Sequence, residues 1–295
     1  MSSDHAVVAR EPENEFTTTH HVYVPHKAGI PPLNNYVTEL WRRREFASEL
    51  SRSNLRSANT LTVFGQLWLV LNPLLLAAVY FLLVQVISGG KHGWDFFAQL
   101  TAGLFTFYFV AASMQTGAAS VVGGGKLLLN TAFPRLLMPF SAVCTAFFRF
   151  LPTLPVYFFF HIIAGLPFRL GTLAAIPFLF LIVIFALGVS AFFATLQVYF
   201  RDTASFLPYV NRIWLYISPV LWSIEQVPNR FRPLISILEV INPLHSMLGG
   251  FIEALSRGHV PHLSTWLIAA TWSFGAFAVG SLYFMSRERE FAVRL

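Results

Sequence analysis

The sequence predicts an all-α integral membrane protein: six transmembrane helices, an N-terminal amphipathic interfacial helix, and a re-entrant helical pair before the last span. Three observations predict it. Hydrophobic residues are 55% of the chain and charged ones 12%, with a mean hydropathy of +0.60; a soluble domain of this size needs more charge to cover its surface. Apolar runs recur at about 67–88, 97–121, 137–164, 172–198, 207–224 and 263–285, each near the roughly 20 residues that cross a hydrocarbon core of about 30 Å. Aromatic residues reach 16%, with 31 Phe, which suits lipid-facing surfaces and interfacial belts.

Residues 1–32 carry acids, prolines and no apolar h-region, so they read as a disordered cytoplasmic tail rather than a cleaved signal. His20, His21 and His26 have no matching ligands beside them and read as solvated. Segment 33–57 follows as one amphipathic helix: Asn34 or Asn35 can cap it, and Val37, Leu40 and Trp41 stand at helical spacing with arginines on the other sides. This is the pattern of a helix lying in the membrane interface. The remainder, 58–295, holds the spans. Pro73 in the first kinks it rather than breaking it, as membrane helices allow. Gly123–Gly125 read as a turn closing the second span, and Cys144, the single cysteine, reads as a packing residue. Segment 229–258 contains two apolar stretches too short to span. Pro233 and Pro243 suit first helical turns and Asn242 suits a cap, so the segment reads as two short helices that dip in and return.

Orientation follows from Lys and Arg. Arg10, Lys27, Arg42, Arg43, Arg44, Arg52, Arg56, Lys126, Arg135, Arg201, Arg212, Arg287, Arg289 and Arg294 fall on one side of the six-span layout; Lys91, Arg169, Arg230, Arg232 and Arg257 fall on the other. Both termini are therefore expected in the cytoplasm.

Several chemistries are missing. Gly123-Gly124-Gly125-Lys126 is followed by Leu127, not Ser or Thr, and lacks the spaced first glycine of a phosphate-binding loop. No His, Cys, Asp and Glu cluster has metal-site spacing. The only aspartates are Asp4, Asp95 and Asp202, so no acid pair is offered to hold a divalent ion on a sugar diphosphate. Arg149 is the one clear ionisable group deep within a span, facing either helix carbonyls or a polar channel, and alone it is thin support for ion coupling.

Three stretches resemble the ABC-2 family of polysaccharide-export permeases: NTAFPRLLMP at 130–139, YFRDTASFLPYVNRIWLYISPVLW at 199–222, and NPLHSMLGGFIEAL at 242–255. With the six-span layout the match covers about residues 35–290. It is similar to Wzm-type O-antigen permeases and to teichoic-acid exporters, and HKAGIPPL with YVTELWRRREF resembles mycobacterial galactan exporters in particular. The resemblance implies a homodimer in the bacterial inner membrane, two separate nucleotide-binding subunits that carry ATP and Mg, and a polyprenyl-diphosphate-linked glycan as substrate. The chain itself would then be no enzyme, hold no cofactor and bind no nucleic acid. The resemblance also implies that 33–57 is a gate helix and that 229–258 is the re-entrant pair at the outer mouth. Lys126, Phe133 and Arg135 would fall in a coupling helix that meets the ATPase, with Arg201 and Asp202 in the second cytoplasmic loop. A glycan path needs aromatic faces, and the candidates are Trp68, Tyr80, Tyr108, Tyr209, Trp214, Tyr216 and Trp222, with Arg149 among them. A diphosphate needs arginine forks, which Arg42, Arg43 and Arg44 offer.

Other readings are a related permease for a small lipid or drug, a membrane enzyme acting on polyprenyl phosphates, and a passive channel. The enzyme would need an acid-rich interfacial motif, which is missing. The channel leaves the FRDTASF and NTAFPR loops without a role.

Overall fold

The computed structural model describes residues 32–57, 64–90, 92–131, 133–222, 227 and 229–294. Expectations for 1–31 and Lys91 lie outside the described residues, as do the side chains of Lys126 and Arg232. Among the described residues the fold is all-helical. Among the described residues five helices are long and apolar enough to cross a membrane, six if one bent pair is counted as a span.

The first span matches α3, Trp68–Ser88, which runs through Pro73 and ends on Gly89 with φ +69°. The second is α4, Trp94–Gly123, apolar on every side and buried along most of its length. It is the central post of the molecule, packed against α3 and against most of the helices that follow. Gly124 makes the turn into the short α5, Gly125–Asn130. The third span is continuous in direction but broken in its hydrogen bonding, into α6, Leu137–Phe150, and α7, Thr153–Ile163. The break falls at Leu151-Pro152, where proline has no N–H to offer. The fourth is α8, Ala175–Tyr199, and the last is α12, Leu263–Arg287.

α8 and α12 pack backbone to backbone. A Cβ on Gly188 would overlap the Ala276 carbonyl, and one on Gly280 would overlap the Gly188 carbonyl. Small residues permit such an approach where lipid supplies no hydrophobic drive between helices.

Two expectations need correction. The run 207–224 forms α9, Thr203–Ile217, only 15 residues long. At 1.5 Å per residue it reaches about 22 Å, short of a hydrocarbon core of about 30 Å. Pro219 is the cause: it holds Ser218 in an extended conformation (φ −85°, ψ 151°) and stops the helix there. The segment 33–57 is two helices, not one: α1, Leu33–Arg42, and α2, Arg44–Ser57, broken at Arg43. Pro32, rather than an asparagine, stands at the N-cap of α1. Arg43 closes α1: its N–H donates to the Glu39 and Trp41 carbonyls and its guanidinium grips the Glu39 carboxylate at 2.6 Å. α2 docks on α6, burying Ala47 and Ser51, and Thr145 Oγ1 donates to Ser51 Oγ at 3.0 Å.

The two short helices expected in 229–258 are present. α10, Arg232–Ile241, and α11, Pro243–Ile252, meet at 102°. Asn242 makes the corner. Its Oδ1 accepts from Leu244 N–H at 3.1 Å and from Trp214 Nε1 at 2.7 Å, and its amide donates to Ser218 Oγ at 3.1 Å. One side chain therefore caps α11 and ties it to the end of α9. A final short helix, α13, Phe291–Arg294, follows α12.

Candidate functional site: a polar cavity within the helical bundle

A cavity of about 580 Å³ opens between α3, α4, α6 and α9. α4 gives it Tyr108 and Gln115; α6 gives Arg149; α3 gives Trp68, Asn72 and Pro73; α9 gives Pro208, Asn211 and Arg212. Each helix contributes a polar group from within an apolar run, because the side that meets the cavity is spared contact with lipid. No Asp or Glu is among the described residues that line it.

Arg149 stands near the middle of the Leu137–Ile163 span, just before the break at Leu151-Pro152. Its Nε is buried with no hydrogen-bond partner among the described residues. The Nδ2 of Asn211, a residue 7% exposed, is in the same condition. An arginine at the centre of a membrane helix costs about 2.5–3.5 kcal/mol on insertion scales. Its position against a polar cavity, with water or a ligand in reach, offsets that cost. Arg212 is exposed on α9, with Tyr80 and Tyr108 close enough to feel its charge.

Of the aromatic candidates the cavity gathers Trp68 and Tyr108, together with Arg149. Tyr80 packs against the core and meets Tyr216 hydroxyl to hydroxyl. Tyr209 and Tyr216 are exposed on α9. Trp214 stacks edge-on against Phe185 and donates to Asn242, a structural position. Trp222 lies at a separate pocket of about 290 Å³ beside α10 and α11, near His245, Glu239 and Glu253. Asn72, Gln115, Asn211 and Arg212 were not among the sequence candidates for the path. The signal available was polar residues spaced within otherwise apolar helices.

The arginine triplet is placed differently. Arg42 is exposed at the end of α1, Arg43 is paired with Glu39, and Arg44 lies over the Trp41 ring at 4.9 Å while donating to the Trp41 carbonyl. On α1, Leu33, Val37 and Trp41 form an exposed apolar stripe while Tyr36 and Leu40 pack inward, the division an interfacial helix needs.

The loop after α4 is held by both ends of the chain. Phe133 stacks on Phe46 of α2 with centroids 5.0 Å apart. Arg135 donates to the Glu288 carbonyl, and Tyr36 donates to the buried Glu288 carboxylate at 2.6 Å while accepting from Leu136 N–H at 3.4 Å. Burial, and then the Glu288 charge beside it, push the Tyr36 hydroxyl well above its usual range. Arg201 donates to the Arg294 carbonyl at 3.1 Å, and Arg294 lies over Tyr199 at 4.2 Å. Asp202 is exposed at the start of α9 and does not cap it; the Gln197 side chain does, accepting from Ala204 N–H at 2.7 Å.

No protein-family model matches the chain. Two O-antigen export system permease proteins RfbA from Klebsiella pneumoniae are each 30% identical over 210 residues, covering 71% of this chain and 79% of theirs. A protein of the same name from Myxococcus xanthus is 25% identical over 258 residues, 87% of this chain and 97% of that one. Together with the apolar helices and the cavity they surround, these relationships establish the family: the chain belongs to the O-antigen export system permeases, ABC-type transmembrane proteins of polysaccharide export.

Proposed function

We propose that this chain is the transmembrane subunit of an exporter that carries a polyprenyl-diphosphate-linked polysaccharide, of O-antigen, galactan or teichoic-acid type, from the cytoplasm across the bacterial inner membrane. Two copies form the path, and two separate subunits bind ATP and Mg and supply the energy. Both termini are cytoplasmic, with α9 and the residues that follow it to Trp222 making the sixth crossing. The observation that carries this reading is the cavity lined by Trp68, Tyr108, Arg149 and Arg212, a polar and aromatic wall inside a lipid-embedded bundle. Aromatic faces suit sugar rings, and guanidinium forks suit phosphate oxygens.

The cytoplasmic face supports a coupling role for Lys126, Phe133, Arg135, Arg201 and Asp202. Phe133 and Arg135 join their loop to α2 and to the segment after α12, so a push on that loop reaches the N-terminal helices. Arg42, Arg43 and Arg44 sit beside the apolar stripe of α1, where one of them can meet a diphosphate at the membrane surface.

Copurification and depletion test the reading. The chain should be isolated with a separate ATPase, and the pure chain should bind no nucleotide. Removing it from a producing cell should leave diphosphate-linked glycan on the cytoplasmic side. ATP binding by the pure chain, or normal surface glycan in its absence, would refute the assignment.

A further inference from the structure

We propose that the cavity between α3, α4, α6 and α9 is an oxyanion site, in which Arg149, Arg212 and Asn211 hold a phosphate or diphosphate group within the membrane. Three observations converge. Two guanidinium groups share a cavity whose described lining contains no carboxylate. The Arg149 Nε is buried without a partner among the described residues, so this arginine is not fully engaged by the helix carbonyls around it. Asn211, more than nine-tenths buried, lines the same cavity with an unpartnered Nδ2.

Buried donors without acceptors are rare, because each forfeits its bonds to water. Here the surplus is all of one kind: arginines donate and never accept, and the Asn211 Nδ2 donates. A neutral sugar, which brings hydroxyl donors as well as acceptors, leaves two positive charges uncompensated. A phosphate-class oxyanion brings acceptors only, neutralises charge, and matches the planar fork of arginine. The inference rests on the export reading for its place in transport, since it gives the diphosphate a station beyond the arginines of α1. The binding chemistry stands on the cavity alone.

The test uses the full chain in phosphatidylcholine nanodiscs, with radiolabelled farnesyl diphosphate as probe and equilibrium dialysis as readout. Binding should be saturable, resist competition by farnesol, and weaken at least tenfold in Arg149→Gln and in Arg212→Gln. Arg149→Lys should fall between parent and Gln, because it keeps the charge and loses the fork. Arg212 is exposed on α9, so its substitution opens no void and guards against misfolding of the Arg149 variant. Competition by phosphatidylglycerol as effective as that by unlabelled probe would keep the oxyanion site and assign it to lipid headgroups; weak competition assigns it to the diphosphate. Parent-like binding in both Gln variants, or equal competition by farnesol, would overturn the site and leave the export reading standing. Failure of the parent to support glycan export would overturn the export reading whatever dialysis shows.

Discussion

Single side chains at the end of the bundle that holds α1 and α13 do more than the sequence pattern suggests. Tyr36 joins α1 to the Glu288 carboxylate and to the Leu136 N–H at once. Removing the hydroxyl in Tyr36→Phe leaves a buried carboxylate short of a donor, which costs about 1–3 kcal/mol. We expect the thermal midpoint of the purified chain to drop measurably, with a smaller drop in a Glu288→Gln background, where no charge is left unpaired. Equal drops in both backgrounds would remove the hydrogen bond as the cause. Asn242 is a second such residue, because its amide serves α9 and α11 together. Asn242→Ala should cost more than the roughly 1 kcal/mol of an ordinary cap, and Asn242→Asp should recover the cap to Leu244 N–H while losing the donation to Ser218. Thermal melts of the two variants check this order.

At the level of elements, the contact between α8 and α12 sets the arrangement of two spans. Gly280 sits where an added Cβ overlaps the Gly188 carbonyl, whereas Gly275, on the same helix, has nothing within 4 Å of an added Cβ. Gly280→Ala should therefore separate the helices and destabilise the chain by about 1–3 kcal/mol or more, as overpacking does. Gly275→Ala should be neutral or stabilise by up to about 0.5–1 kcal/mol through lost backbone freedom in the unfolded chain. Unfolding midpoints that move together would show that helix propensity, not backbone approach, controls both sites. The arginine triplet belongs to this scale too. A single helix through 42–44 would fan three guanidinium groups around its axis; the break at Arg43 instead assigns one to Glu39, one to Trp41 and leaves Arg42 on an exposed surface.

Across the whole molecule, the charge asymmetry makes an orientation test direct. In a Cys144→Ser background, Val293→Cys, 90% exposed after α12, should react with a membrane-impermeant maleimide only from the cytoplasmic side. Val260→Cys, 68% exposed before α12, should react only from outside. Labelling of both from one side would show that α12 does not cross, and the topology would need redrawing.

Composition and pattern by themselves determined the membrane class, the positions of α3, α4, α8 and α12, and the Asn242-Pro243 corner. These are local properties: length of apolar run, proline at a first turn, asparagine at a cap. The motifs at 130–139, 199–222 and 242–255 made the family legible as well. Tertiary structure decided the rest. The end of α9 at Ile217 is again local, set by Pro219, whereas the break at Arg43 depends on how flanking groups find partners, which a hydropathy run does not encode. Which aromatic residues share a cavity was also undecided in the sequence, because Trp68 and Tyr108 differ from Tyr209 and Trp214 only in the neighbours that packing brings to them. Arg149, Arg212 and Asn211, which share one cavity, are far apart in the chain. No spacing rule relates them; they line a common space because α6 and α9 both pack on α4, and only that packing gathers these isolated polar residues.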